Sequence, residues 1–354
     1  MTASSTRDSA EFRATSAALR ARLRRPVSFF ARVKEHIIEW ALLACGMLST
    51  IAVALIFIFL FKEGIVALRM VPLSEFISSL SNVTQYDVAT DTTKVVGQIR
   101  DFTWQPVGDV PKLSVVPLLW GSFGIAVIAG ILSTLCGVGI GIYLSEIASR
   151  RARDIIKPML EILVGIPTVV IGFFMLAIIA EPIRTLLRGG VFPWLDIPIY
   201  SRSLNMFIGA LGVSFIIVPV IASLVDDALR AVPNELRAAS LAVGATRWQT
   251  TWRVTLPAAV SGVFAALILG FGRALGETMI VVMCAGNAPM IKLNPFEPVR
   301  TMTASIASEM GAAQQGGLHA HVLFLVGALL VTLTFILNIV VEVVVNRYRQ
   351  RIRS

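Results

Sequence analysis

The sequence predicts an all-α, polytopic membrane protein with about six transmembrane helices. Three observations carry this prediction: the chain is apolar, its charges are clustered, and long uncharged runs alternate with charged segments. Of 354 residues, 56% are hydrophobic and 15% are charged, and the mean hydropathy is +0.78. Soluble domains carry about 25% charged residues, so this composition indicates that lipid is the main solvent of the protein.

Six runs with few or no charges are long enough to cross about 30 Å of hydrocarbon. Backbone groups facing lipid must be hydrogen-bonded internally, and the runs lack the alternation of barrel strands, so each is predicted to be a helix. The runs extend over Trp40–Phe61, Leu118–Leu144, Pro158–Ile179, Leu204–Val225, Ala258–Gly272 with a continuation to Ala285, and Val322–Val341.

The basic residues predict the orientation, because Lys and Arg are retained on the cytoplasmic side. They cluster in four regions on one side of a six-helix topology, which predicts that both termini are cytoplasmic. The connection between the third and fourth runs opposes this, since it carries Arg184, Arg188 and Arg202. The four regions contain Arg20, Arg22, Arg24, Arg25, Arg32 and Lys34; Arg150, Arg151, Arg153 and Lys157; Arg230, Arg237, Arg247 and Arg253; and Arg347, Arg349, Arg351 and Arg353.

Three regions are expected along the chain. Residues 1–36 form a cytoplasmic arm without the apolar stretch of a signal peptide, residues 37–346 form the transmembrane domain, and residues 347–354 form a basic cytoplasmic tail. Within the transmembrane domain, residues 62–117 mix acidic with aromatic side chains and predict a structured outer cap or interfacial helices. This segment is too short for an enzyme domain.

Charge and cysteine content limit the function classes. The net charge of +9 comes from basic residues beside the membrane runs, which favours a membrane surface over nucleic acid as their partner. The three cysteines, Cys45, Cys136 and Cys284, have no spacing typical of a metal site or disulfide framework, and we expect neither metal nor cofactor. A nucleotide-binding G-x-x-x-x-G-K-[ST] loop is also missing from the sequence. Any energy that the protein uses must therefore come from another polypeptide or an ion gradient.

The fourth connection, residues 226–257, is long and reads as two short helices broken at Gly244. Pro233 suits the start of the first helix. On composition alone, the segment could simply rest on the membrane surface, with its arginines facing anionic lipid.

The fifth run contains the charged sequence Gly272-Arg273-Ala274-Leu275-Gly276-Glu277-Thr278-Met279. Arg273 and Glu277 are four residues apart and are predicted to share one helix face. A charge in the middle of the membrane costs about 2.5–3.5 kcal/mol on insertion scales. The pair either neutralises itself within the helix packing or lines a pathway, and we favour the pathway. An Arg fork suits an oxyanion, and Glu277 would limit how tightly that anion binds.

The fourth connection resembles the loop by which ABC importer permeases dock into their ATPase. The resemblance lies in the stretch Ala238–Gly244, which is followed after nine residues by Val254-Thr255-Leu256-Pro257. The positions of Gly244 and of Leu256-Pro257 agree with the family pattern. The family has Glu where this chain has Ala238, so the contact would rely more on neighbouring side chains. By this resemblance, the coupling residues are Glu235, Arg237, Ala238, Ala239, Gly244, Arg247, Trp248, Leu256 and Pro257.

The run Gly272–Met279 resembles, more narrowly, the PstC-type permease of phosphate ABC importers. The similarity extends from about Phe102 to the carboxyl end and includes Gly165–Val170, Gly244–Trp248 and Arg300–Glu309. It implies an ABC type I importer permease fold in a bacterial inner membrane and assigns the pathway to Arg273 and Glu277, with Thr278 beside them.

That resemblance also implies partners: a PstA-type sister permease, two PstB-type ATPase subunits and an extracytoplasmic PstS-type phosphate-binding protein. The chain itself would catalyse no reaction, since the ATPase subunits hydrolyse ATP. Two alternatives stay open, namely a permease for sulfate or molybdate and an ion-coupled secondary carrier. Pro167 and Pro219 are predicted to kink helices and are candidate gates.

Overall fold

The computed structural model describes residues 29–87, 92–108, 110–188 and 203–353. Residues 1–59 and 60–354 form two compact units and are described separately. The predicted amino-terminal arm lies mostly outside the described residues. In the first unit, helix α1 begins at Phe29, before the predicted end of that arm. The helix ends at Met70, inside the segment predicted as outer cap.

The second unit is mainly helical, which confirms the predicted fold class. Three π-helical turns, at Tyr143–Ile147, Met175–Ile179 and Thr251–Thr255, interrupt or extend the α-helices. After α1, the described helices are α2 (Leu73–Ile77), α3 (Val116–Ile142), α4 (Arg150–Gly165), α5 (Thr168–Phe174), α6 (Ala180–Arg188), α7 (Met206–Arg230), α8 (Asn234–Ala242), α9 (Arg247–Thr250), α10 (Leu256–Ala258), α11 (Val260–Gly276), α12 (Met279–Cys284), α13 (Met302–Glu309) and α14 (Leu318–Arg353).

Among the described residues, five helices are long and apolar enough to cross a membrane, and a bent pair gives a sixth span. The bent pair joins Arg247–Ala258 to Val260–Gly276 at an angle of 72°. The bounds predicted for the third span are wrong, because the spanning segment is Thr168–Leu186. Helix α4 ends at Gly165 and carries Pro158 in its interior, so the start of the predicted run belongs to a separate amphipathic helix.

The outer cap contains strands as well as a helix. Strand β1 (Ser79–Asp87) pairs with β2 (Thr92–Asp101) in antiparallel register, with Ser79 opposite Asp101. Strand β3 (Trp104–Gln105) pairs with β4 (Lys112–Leu113), also antiparallel. The segment predicted as the outer cap thus contains two hairpins, which the expectation of interfacial helices missed, and its position outside the membrane stays a prediction.

The core of the membrane domain is the close contact between α3 and α7. Gly137 and Gly141 lie one turn apart on the same face of α3, and both face α7. A Cβ atom at Gly141 would lie 2.7 Å from Cβ of Val225 and 3.0 Å from the carbonyl oxygen of Ala222. Small residues at this spacing let membrane helices approach closely, so the two backbones are held at a distance that excludes any side chain.

We predict that Gly141→Ala lowers the thermal unfolding midpoint of the detergent-solubilised chain. The added methyl group overpacks the contact, which typically costs about 1–3 kcal/mol, while alanine recovers about 1 kcal/mol of helix propensity. Gly139→Ala is the matched control, because nothing lies within 4 Å of a Cβ there. Equal midpoints for the two variants would show that α3 and α7 do not meet at this face.

Candidate functional site

The fifth span breaks at the predicted pathway residues. Helix α11 ends at Gly276, and Glu277 has extended backbone angles, φ −69° and ψ 129°. Helix α12 then begins at Met279. The prediction that Arg273 and Glu277 share one helix face is therefore wrong, because Glu277 follows the end of the helix that carries Arg273.

Arg273 lies in the last turn of α11 with its side chain exposed. No hydrogen bond or ion pair joins it to another residue in the described part of the chain. The opposite face of the helix packs on α7, where a Cβ atom at Gly270 would meet Ile221 Cδ1 at 2.8 Å. Burial of that face directs the guanidinium away from the core of the chain.

Glu277 stabilises the start of α12. Its Oε1 atom accepts a hydrogen bond from the backbone N–H of Thr278 at 3.2 Å and a longer one from that of Ile280 at 3.5 Å. The Thr278 hydroxyl donates to the carbonyl oxygen of Gly276 at 3.3 Å. Both side chains thus satisfy backbone groups that a helix break leaves without partners, and the half-exposed carboxylate stays beside the break.

Helix α13 supports the break from the outer loop. The Thr303 hydroxyl donates to the carbonyl oxygen of Glu277 at 2.9 Å, and the Met302 N–H donates to Oγ of Ser122 on α3 at 3.0 Å. Thr301 caps the amino end of α13 by accepting from Ala304 N–H. The sequence Arg300–Glu309, identified by resemblance alone, therefore lies directly against the pathway residues.

A polar cluster around Glu309 was missed at the sequence level. The Trp104 Nε1 atom lies 3.1 Å from both carboxylate oxygens, Arg300 pairs with the same group, and His319 Nε2 lies 2.9 Å from Oε2. Sequence spacing gives no sign of this contact, because His319 lies ten residues after Glu309 and Trp104 lies 205 residues before it. The cluster joins β3, α13 and the start of α14 through one carboxylate.

Pro167 and Pro219, the two candidate gates, occupy different kinds of site. Pro167 lies at a second helix break, where α4 stops at Gly165 and α5 starts at Thr168. Pro219 lies buried inside the single helix α7. Helix α5 then packs closely on α12, since a Cβ atom at Gly172 would lie 3.3 Å from Cα of Ile280. The two half-helices that follow the two breaks are therefore neighbours.

The fourth connection forms the predicted pair of short helices. Helix α8 ends with Gly244 at φ +88°, a left-handed conformation that glycine adopts without strain. The Gly244 N–H donates to Leu241 O at 3.0 Å and the Ala245 N–H donates to Ser240 O at 3.3 Å, which is the Schellman pattern. Thr246 and Gln249 then form a capping box that starts α9. Local hydrogen bonds thus fix the elbow, which is the turn at Gly244 between α8 and α9.

The coupling residues are largely exposed in the isolated chain. Val243 is 85% exposed and Trp248 is 58% exposed, and Trp248 contacts Trp252 edge-on with ring centroids 5.6 Å apart. Glu235, Ala238, Ala239, Gly244, Arg247 and Pro257 are also exposed, whereas Arg237 and Leu256 are half-buried. Arg237 is held internally, because it pairs with Glu146 at 3.1 Å and donates to two backbone carbonyls.

A buried ion network joins α4 to the end of α7. Asp226 has no exposed side-chain surface and accepts from Arg153 at 2.8 Å, Lys157 at 3.3 Å and Arg230 at 3.0 Å. Lys157 also donates to Asp227 at 2.7 Å, and this hydrogen bond raises the pKa of Lys157 above its usual value. On the alkaline side, the attraction between Lys157 and Asp227 is lost as the pH rises through that raised pKa.

The comparisons with known proteins agree with this architecture. Residues 137–354 match the model of the binding-protein-dependent transport system inner membrane component family. The chain belongs to this family. Like other inner membrane components, it is a transport permease with several membrane-spanning helices.

Curated relatives and solved structures extend the comparison. The chain is 30% identical over 249 residues to the probable ABC transporter permease protein YqgH of Bacillus subtilis, covering 70% of this chain and 77% of the relative. It is 30% identical over 263 residues to the phosphate transport system permease protein PstC 1 of Mycobacterium tuberculosis, covering 70% and 76%. It is 29% identical over 262 residues to PstC of Mesorhizobium japonicum, covering 70% and 78%.

The structural comparisons concern the fold alone. A bacterial ABC transporter that imports alginate has a TM-score of 0.55 at 14% identity, covering 89% of this inner membrane component and 99% of the other chain. The inward-facing MetNI methionine ABC transporter has a TM-score of 0.51 at 20% identity, covering 66% and 95%. The ABC importer permease fold predicted from the sequence is confirmed.

We predict that Asp226→Asn destabilises this inner membrane component by about 3 kcal/mol at neutral pH. Removing one partner of a buried ion network leaves the remaining charges uncompensated, so the thermal unfolding midpoint should fall clearly. Asp227→Asn is the matched control, because the Asp227 side chain is 59% exposed and exposed pairs contribute less than about 1 kcal/mol. If the adjacent substitutions cost the same, the network does not stabilise the fold.

Proposed function

We propose that the chain is the membrane pathway subunit of an ATP-driven importer of inorganic phosphate. The observation that carries the proposal is the exposed guanidinium of Arg273, which has no partner among the described residues and lies next to a helix break. Several relatives are named phosphate transport permeases, and the charged residues Arg273 and Glu277 lie within an otherwise apolar run of the sequence.

Energetics exclude lipid as the environment of Arg273. An unpaired arginine at membrane depth costs about 2.5–3.5 kcal/mol even on lenient insertion scales. The guanidinium must therefore face water, an anion or a second subunit. A seam between two permeases supplies all three, because a hydrated passage there lets Arg273 make two charge-assisted hydrogen bonds to an oxyanion.

Glu277 and Thr278 set the other side of the pathway. One Glu277 oxygen caps α12, which leaves its charge beside the passage and opposes tight trapping of the anion. Conduction requires binding weak enough for release. The breaks at Pro167 and at Glu277 place non-helical backbone in the membrane, which is tolerated where it lines a cavity or is buried in protein. Pro167 is accordingly the stronger gate candidate, while Pro219 would act within a continuous helix.

The proposed assembly contains a PstA-type sister permease, two PstB-type ATPase subunits and a PstS-type binding protein outside a bacterial inner membrane. Both termini lie in the cytoplasm. The exposed side chains of the fourth connection form the contact with the ATPase. Trp248 and Val243 present apolar surface there, and Ala238 in place of the family Glu leaves this contact more apolar. ATP hydrolysis in the partner then moves the elbow and the attached spans.

We predict that Arg273→Gln abolishes phosphate uptake by the reconstituted assembly while the subunits still copurify. Glutamine keeps polarity but loses the charge and the fork. Arg69→Gln is the control, because it removes an exposed arginine from the end of α1. Glu277→Gln keeps the capping oxygen and should slow phosphate release, measured as reduced turnover with tighter apparent binding. Normal phosphate uptake by Arg273→Gln would show that this arginine contributes to helix packing and not to the transport pathway.

The same assembly tests the substrate and the energy source. Phosphate delivered by the binding protein should stimulate ATP hydrolysis, whereas sulfate and molybdate should not. Stimulation by sulfate or molybdate alone would assign a different oxyanion. Uptake by the purified chain alone, driven by an ion gradient without nucleotide, would establish a secondary carrier instead.

We predict that Trp248→Ala weakens ATPase association at least about tenfold, since buried aromatic anchors dominate such interfaces. Association is measured by titrating the purified ATPase subunit onto the immobilised permease. Gly244→Ala should also weaken it, because a left-handed backbone costs alanine roughly 1–2 kcal/mol. Gly311→Ala is the control, with open space around its Cβ position and no positive φ. Unchanged association of both elbow variants would contradict this docking site.

A further inference from the structure

A cavity of about 410 Å³ lies between the fourth connection and the π-helical turn that follows α3. Its lining contains three arginines, Arg230, Arg237 and Arg247, and one carboxylate, Glu146. The lining therefore has an excess of two positive charges. Its volume is at the lower end of the range of about 300–1,000 Å³ typical of small-molecule sites.

The charge excess is concentrated on two of the three arginines. Arg237 forms an ion pair with Glu146, and the two charges cancel. Both terminal nitrogens of Arg237 are engaged, because they also donate to Asn234 and to the carbonyls of Leu229 and Val232. Arg230 uses only its Nε atom in the hydrogen bond to Asp226 recorded among the described residues. The guanidinium of Arg247 makes no hydrogen bond or ion pair with another residue in the same described part of the chain. Two guanidinium groups thus line the cavity with unused donors.

Neutral donors complete the lining. The side-chain oxygen Oδ1 of Asn234 accepts a hydrogen bond from Arg237. The side-chain nitrogen Nδ2 of Asn234 is therefore available to donate to an anion. The ion pair with Asp226, at 3.0 Å, holds Arg230 in place through its Nε atom. The guanidinium groups of Arg230 and Arg247 and the amide nitrogen of Asn234 suit a tetrahedral oxyanion, which offers several acceptor oxygens at once.

We propose that this cavity is a second oxyanion site, which binds a phosphate group from the cytoplasm. This site is separate from the proposed transport pathway, because no residue that lines the cavity belongs to α11, the helix that carries Arg273. An anion between Arg230 and Arg247 bridges the end of α7 to the start of α9. Binding therefore stiffens the elbow and links the ATPase contact to cytoplasmic phosphate or to a lipid phosphate headgroup.

The test uses the purified full chain carrying Arg273→Gln, so that the pathway contributes no phosphate binding. Hydrogen–deuterium exchange is followed in peptides covering residues 143–147 and 230–250 during titration with inorganic phosphate. We expect slower exchange in these peptides. Arg247→Gln should raise the phosphate concentration at half-protection about tenfold, because one charge-assisted contact is lost. Arg253→Gln is the matched control, since this exposed arginine lies outside the cavity lining.

A second variant guards against loss of folding. Asn234→Asp keeps the acceptor for Arg237 and adds one negative charge to the cavity, so it should also weaken phosphate binding about tenfold without lowering the unfolding temperature. Nanodiscs of phosphatidylcholine, with or without phosphatidic acid, separate the two sources. Protection by phosphatidic acid but not by free phosphate would assign the site to a lipid headgroup.

Two results would overturn the proposal. One is the absence of protection with inorganic phosphate and with phosphatidic acid alike. The other is an equal phosphate concentration at half-protection for Arg247→Gln and Arg253→Gln, which would place phosphate binding outside the cavity. Neither result depends on whether the assembly imports phosphate, because the pathway arginine is absent from every sample.

Discussion

A helix that stops inside a membrane must find partners for the backbone groups it leaves free, and this constraint organises the membrane domain. At the break after Gly276, the Glu277 carboxylate accepts from the amide groups of the next helix, and the Thr303 hydroxyl donates to the Glu277 carbonyl. The outer loop is thereby fixed against the middle of the fifth span. Arg273 can then stay free for a ligand, because the backbone beside it is already satisfied.

The close approach of α3 and α7 serves the same arrangement. Glycines 137 and 141 bring the two backbones together, and α11 packs on α7 through Gly270, which meets the Ile221 side chain that Gly137 also meets. Tight packing on one face of each helix leaves the other face of α11 uncovered. The charged end of α11 therefore lies on a surface that a second permease or water must cover, while the Asp226 network anchors α7 at the end nearest the fourth connection.

Much of this organisation could be predicted from the sequence. Hydropathy and Lys/Arg clustering indicated the helical class and the spans, and Gly244 predicted the elbow because a left-handed turn favours glycine. The break at Ile166 coincides with Pro167, where a helix kink was predicted. The break at Glu277 could not be placed, since helix propensity does not record the tertiary hydrogen bonds that support it. The Glu309 cluster was missed because Trp104 and His319 lie far apart in the chain. The small hairpins of the cap lay in a segment without clear periodicity.

The link from Glu309 to Glu277 has a mechanical consequence. The Glu309 carboxylate, at one end of the eight-residue helix α13, binds Trp104, Arg300 and His319. Near the other end of α13, the Thr303 hydroxyl donates to the carbonyl oxygen of Glu277 in the interrupted span. Helix α13 thereby forms one hydrogen-bonded connection between the Glu309 cluster and the break after Gly276. A displacement of the helix at either end would be transmitted to the other end.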